Sequence, residues 1–117
     1  MKTTTPSYAE REKCPLYTAI HVIEGRWKPM IFQRLGAGAL GFGELRRSMA
    51  GVTSKVLRQQ LRELEADGLV ARCPAPKQGL RVRYQVTLHG KTLEPVFECL
   101  WTWGVMHLSH MNSADGS

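Results

Sequence analysis

The chain has 117 residues, 43% of them apolar, which suits one domain with one core and argues against wholesale disorder. No apolar run approaches the ~20 residues that span a bilayer. The polar start MKTTTPSYAEREK has no signal-peptide core, so cytoplasmic residence is expected. The net charge of +6 is concentrated. Between Gly41 and Thr87 lie nine bases (Arg46, Arg47, Lys55, Arg58, Arg62, Arg72, Lys77, Arg81, Arg83) and four acids (Glu44, Glu63, Glu65, Asp67). Such a basic region implies either a polyanionic partner or a solvated surface.

Residues 1–13 read as a flexible arm. In CPLYTAIHVIEG, Pro15 suits a first helical turn. Leu16, Ala19, Ile20 and Ile23 follow at helical spacing, and Gly25 closes the helix. In RWKPMIFQRLGAG, Pro29 again suits N1, Met30, Ile31 and Leu35 are apolar, and Gly36 and Gly38 end the pattern. ALGFGELRRSMAG holds an extended piece at Leu40–Phe42 and a short helix from about Glu44 to Met49. Gly51 supplies a turn, and Thr53 is the expected N-cap of a longer helix, VTSKVLRQQLRELEADG. There Leu57, Leu61 and Leu64 form one core-facing stripe, with Gly68 as C′.

LVARC reads as a strand, PAPKQG as a turn and LRVRYQV as a second strand. In the latter, Val82, Tyr84 and Val86 alternate with Arg81, Arg83 and Gln85. Thr87 caps the last helix, which carries Leu93, Phe97, Leu100 and Trp103. Pro95 should kink it or start a new segment. The polar residues 112–117 read as a disordered tail, which leaves 14–111 as one domain. Three widely spaced cysteines, Cys14, Cys73 and Cys99, imply neither a disulfide framework nor structural zinc.

A short helix, a tight turn and an amphipathic helix make a helix-turn-helix, and a basic hairpin after it is a wing. The expected fold is therefore mainly α with a small β-hairpin wing, a winged helix-turn-helix. The second helix of such a unit, about residues 53–67, enters the major groove N-terminus first. Its charge order is the reverse of what the helix dipole favours: Lys55, Arg58 and Arg62 come first, Glu63, Glu65 and Asp67 last. Bases early in the helix can meet DNA, and the late acids stay clear of the groove and keep the helix from lying along the backbone. The candidate DNA-binding residues are Arg46 and Arg47, then Thr53, Ser54, Lys55, Arg58, Gln59 and Arg62, then Lys77, Arg81 and Arg83 on the wing at about 69–86.

CPLYTAIHVIEGRWKPMIFQRL, FGELRRSMAGVTSKVLRQQLRELEADGLVAR and RVRYQVTLHGKTLEPVFECLWTWG closely resemble the HxlR family of bacterial winged helix-turn-helix transcription regulators, over about Cys14 to Gly104. The resemblance implies a homodimer on a palindromic double-stranded DNA operator, paired through the first and last helices. The chain departs at the wing, where the family usually carries acid and PAPKQGLRVRY has Lys77 and no acid. The residues themselves also point to a dimer. Trp101, Trp103, Val105, Met106 and Leu108 make the last helix apolar on more than one face. Leu16, Ile20, Trp101, Val105 and Leu108 are the candidate interface.

Two readings stand for Cys14. The resemblance implies a sensor of oxidants or electrophiles at the Cys-Pro position, beside Lys13 and a positive helix end. The other is a capping or packing residue. Of the histidines His21, His89, His107 and His110, the last two stand at i, i+3 on the last helix and could join a metal site, but no carboxylate or cysteine ligand lies at close spacing to them, so no metal and no cofactor are expected. Neither a nucleophile–base pair nor a phosphate-binding glycine loop is present, so no enzyme is expected. The alternative function is a redox- or ligand-sensing winged-helix module that acts mainly through a protein partner.

Overall fold

The computed structural model describes residues 14–73 and 82–116, with side chains to Ser113. The expected arm 1–13 and the wing residues Lys77 and Arg81 lie outside the described residues. The elements run α1 (Pro15–Ile23), α2 (Lys28–Gly36), β1 (Leu40–Gly41), α3 (Phe42–Ser48), α4 (Ser54–Ala66), β2 (Val70–Cys73), β3 (Arg83–Val86), α5 (Leu88–Lys91) and α6 (Glu94–Gly116).

Local chemistry sets most of these boundaries. Pro15 opens α1, Pro29 lies in the first turn of α2, and Gly25 sits between them at φ +102°. At the start of α4, the Thr53 Oγ1 accepts the Val56 N–H at 3.2 Å. At its end, Gly68 takes φ +73°, and the Leu69 N–H reaches back to the Leu64 carbonyl at 3.0 Å, a Schellman closure.

The core gathers one face of each central helix. Ile31, Phe32 and Leu35 of α2 meet Leu45 of α3 and the stripe Leu57, Leu61 and Leu64 of α4, with Leu69 and Val70 beneath. Full burial of each leucine contributes roughly 2 kcal/mol. Behind the turn of the helix-turn-helix, Gly51 (φ +88°) lies against the Trp27 ring.

Three details differ from the sequence reading. The extended piece is a full partner in the sheet, whose strand order is β1-β3-β2, both pairings antiparallel. Leu40 pairs with Tyr84 and Val70 with Val86. α3 begins at Phe42, two residues early, because Glu44 caps it: its Oε1 accepts the Gly41 N–H at 3.0 Å. The last helix continues to Gly116, past the expected end near Met111, since residues 112–115 include no proline or glycine to stop it.

Pro95 starts a new segment. α5 ends at Lys91, and Pro95 takes the second position of α6. The joint is tight. The Thr87 Oγ1 donates to the Gly68 carbonyl at 2.7 Å and accepts the Gly90 N–H at 2.9 Å. A Cβ at Gly90 would strike the Leu69 carbonyl oxygen and come within 2.7 Å of Val86 Cγ1. From there α6 touches the core through Phe97, whose ring lies 5.2 Å from that of Phe32.

Beyond this contact α6 projects outward. The radius of gyration is 17.2 Å, against about 13 Å for a compact domain of this length. No helix among the described residues is long and apolar enough to cross a membrane.

Candidate nucleic-acid interface

Burial of the leucine stripe fixes what α4 shows to solvent. Lys55, Arg58, Gln59 and Arg62 stand at i, i+3, i+4 and i+7, on the face opposite Leu57, Leu61 and Leu64. All four are exposed, as are Thr53, Arg46 and Arg47, while Ser54 is half-buried. Arg46, Arg47, Lys55 and Arg58 make no ion pair among the described residues. The Arg58 guanidinium rests over the Phe42 ring, 4.7 Å from its centroid. Phe42 thus gives Arg58 a flat shelf that leaves its N–H edge free. Sequence reasoning missed this residue because it placed Phe42 in the extended piece.

Gln59 and Arg62 are committed to a chain of contacts. The Arg62 Nη2 donates to Gln59 Oε1 at 3.0 Å, and Gln59 Nε2 donates to Glu63 Oε2 at 3.1 Å. The other Glu63 oxygen accepts the Lys28 ammonium at 3.0 Å. Lys28 is the buried cation among the described residues, its side chain 5% exposed. Lys28 and Gln59 together hold the Glu63 carboxyl below its usual range, Lys28 contributing most.

Two of the three late acids, Glu63 and Glu65, therefore have partners in the fold. Glu63 ties the helix to α2, and Glu65 pairs with Arg72 of β2 at 3.2 Å. These contacts give Glu63 and Glu65 a structural role beside the sequence reading that the late acids stay clear of the groove. They also sharpen the reversed charge order: these two acids clamp the C-terminal half of α4 to the body, and the bases of its N-terminal half face outward.

The wing is anchored in the same manner. Arg83 of β3 reaches Glu44 of α3 at 3.5 Å. The Gly41 N–H, and secondarily Arg83, hold the Glu44 carboxyl below its usual range. Arg83 is thus partly neutralised by its own fold. Cys14 is the N-cap of α1 and is half-buried, with no side-chain capping hydrogen bond. The candidate interface residues Leu16, Ile20, Trp101, Val105 and Leu108 are all exposed, with Trp101 71% and Leu108 65% accessible. No group of three or more metal-ligating side chains occurs among the described residues.

A helix-turn-helix packed on a leucine stripe, followed by an antiparallel sheet that carries a wing, defines a winged helix-turn-helix regulator. The chain belongs to the HxlR-like helix-turn-helix family, whose model matches residues 22–112. It is 39% identical over 97 residues to the HTH-type transcriptional regulator YybR of Bacillus subtilis, covering 83% of this chain and 78% of that protein. The redox regulator HypR in its reduced form superposes with a TM-score of 0.77 at 36% identity, over 86% of this chain and 99% of that one. The reduced form of the transcriptional regulator YodB of B. subtilis gives 0.71 at 30% identity, over 77% and 89%. The protein is a transcriptional regulator with a helix-turn-helix domain.

Proposed function

We propose that the protein binds a palindromic double-stranded operator as a homodimer. The N-terminal half of α4 enters the major groove, and the wing lies on the backbone or in the minor groove. The observation that carries this reading is the outward stripe Lys55–Arg58–Gln59–Arg62, held opposite a fully buried leucine face. Arg58 and Lys55 suit guanine O6 and N7, while Arg46, Arg47 and Arg83 suit phosphates. Gln59 and Arg62 reach bases only by leaving the Glu63 chain, which makes them secondary readers. The homodimer is supported by apolar surface on α1 and α6 that one chain leaves bare, including Leu16 at 66% exposure. A gel shift with duplex from upstream of the protein's own gene tests the reading. The expected result is a salt-sensitive shift at submicromolar dimer. Absence of any shift at micromolar dimer favours a module that acts through a protein partner.

The names of HypR and YodB favour a second element, a response to oxidants or electrophiles through Cys14. The thiolate would add to an electrophile, forming an S–C bond, or take the terminal oxygen of a hydroperoxide as the O–O bond breaks, giving a sulfenic acid and releasing the alkoxide (hydroxide when the oxidant is hydrogen peroxide). Cys14→Ser should then remove the effect of such reagents on DNA binding. An unchanged response in that variant eliminates Cys14 as the sensor.

A further inference from the structure

The chain Lys28–Glu63–Gln59–Arg62 fixes more than the packing of α4 on α2. Lys28 is the first residue of α2, with its side chain 5% exposed, and its ammonium donates to Glu63 Oε1 at 3.0 Å. That contact leaves Oε2 for Gln59, one turn earlier on α4. The chemistry of the groups sets the order of the rest. A carboxylate held below its usual range accepts and does not donate, so it faces the Gln59 amide nitrogen. A guanidinium only donates, so Arg62 faces the Gln59 amide oxygen. Both ends of the Gln59 amide are engaged within its own helix, and the Arg62 Nη2 is turned back along α4.

By itself an exposed Gln–Glu contact at i, i+4 orders its side chains only weakly. Here the acceptor is pinned from the other side by a buried donor on another helix, so Glu63 is already ordered when Gln59 meets it. Lys55 and Arg58 have no such tie. Neither makes an ion pair among the described residues, and the Arg58 guanidinium lies over the Phe42 ring with its N–H edge open. The outward stripe of α4 is thus divided into two bases that stand free and two side chains that are held.

We propose that Lys28 is a positioning residue for DNA recognition: through Glu63 it holds Gln59 and Arg62 back from the duplex, and so leaves recognition by α4 to Lys55 and Arg58. The inference rests on the reading of α4 as the helix that enters the groove. The test is a double-mutant cycle in DNA affinity, read by fluorescence anisotropy on duplex from upstream of the protein's own gene. Arg62→Ala is made in the unaltered chain, in Lys28→Met and in Lys28→Met/Glu63→Ala, with circular dichroism verifying each fold. In the unaltered chain it should change affinity less than about twofold, because the held arginine contributes little. In both other backgrounds it should cost about fivefold, a coupling typical of residues in one network. Lys28→Met alone should steepen the salt dependence by about one released counterion, as Arg62 reaches a phosphate. A purely structural role of Lys28 would move neither readout. Arg58→Ala, outside the chain of contacts, should lose the same factor in all three backgrounds. Equal Arg62→Ala losses in all three overturn the proposal while the DNA reading stands. A larger loss that appears only when Glu63 is also removed overturns it as well, since Glu63 then holds Gln59 without Lys28. An unaltered chain that binds no duplex ends both readings together.

Discussion

The Lys28–Glu63 pair gives an asymmetric prediction. Glu63→Ala strands an ammonium whose side chain is 5% exposed and which has no other acceptor among the described residues. Removing one partner of a buried pair typically costs 3–5 kcal/mol. The Glu63 side chain is 41% exposed, so water enters part of the vacated space and the lower end, about 3 kcal/mol, applies. For a domain of this size each kcal/mol shifts the melting temperature by roughly 4 °C, which gives a drop of about 12 °C. Lys28→Met removes the buried charge and keeps a long apolar stem, and the half-exposed Glu63 can hydrate. It should cost about 1 kcal/mol or less. The double variant Lys28→Met/Glu63→Ala should recover most of the loss. Thermal melts followed by circular dichroism at neutral pH measure all three. If Lys28→Met costs as much as Glu63→Ala, the stranded-charge argument is wrong, and packing of the lysine stem dominates instead.

Other expectations follow from the same contacts. Because Lys28 and Gln59 depress the Glu63 carboxyl, its contribution to stability is present above the unfolded value of 4.5 and is lost as pH falls through the lower folded value. Melting temperatures of Glu63→Gln should therefore depend less on pH below about 4.5 than those of the unaltered chain, and parallel curves would contradict this. Gly90→Ala drives a methyl into the Leu69 carbonyl and Val86, so urea unfolding should show a loss of about 2–3 kcal/mol; a loss under 0.5 kcal/mol would mean that the joint yields. Arg58→Ala should cost ~1–3 kcal/mol on an operator and relax sequence preference. Phe42→Leu, which removes the shelf beneath Arg58, should reproduce part of that loss without touching DNA. Equal losses on operator and random duplex would reduce Arg58 to a phosphate contact.

Much of this fold could be read from short-range chemistry. Thr53, Gly68, Gly25 and Thr87 punctuate the helices as their types require, and the Leu57–Leu61–Leu64 stripe is a periodicity carried by one element. The alternation of Tyr84 and Val86 with Arg83 and Gln85 holds in β3, whereas Val82 lies before the strand and is exposed. Features that depend on partners distant in sequence were not readable. Nothing near Lys28 indicates that its ammonium will be buried against a carboxylate 35 residues later. Glu63 and Gln59 accordingly read as free polar residues of a groove-facing helix. The exposed position of Arg58 on α4 was legible, but its support by Phe42 depends on how α3 crosses α4. The extended piece at Leu40–Gly41 was legible, but its pairing with β3 was not, for the same reason.

The central claim is that the N-terminal half of α4 is the DNA-contacting surface. Fluorescence anisotropy of Lys55→Glu/Arg58→Glu on duplex from upstream of the protein's own gene tests it most directly. Both side chains are exposed and make no ion pair among the described residues, so the variant should melt within a few degrees of the unaltered chain. Its DNA affinity should fall at least a hundredfold, with a shallower dependence on salt. A correctly folded variant that binds the same duplex with unchanged affinity and salt dependence would contradict the claim.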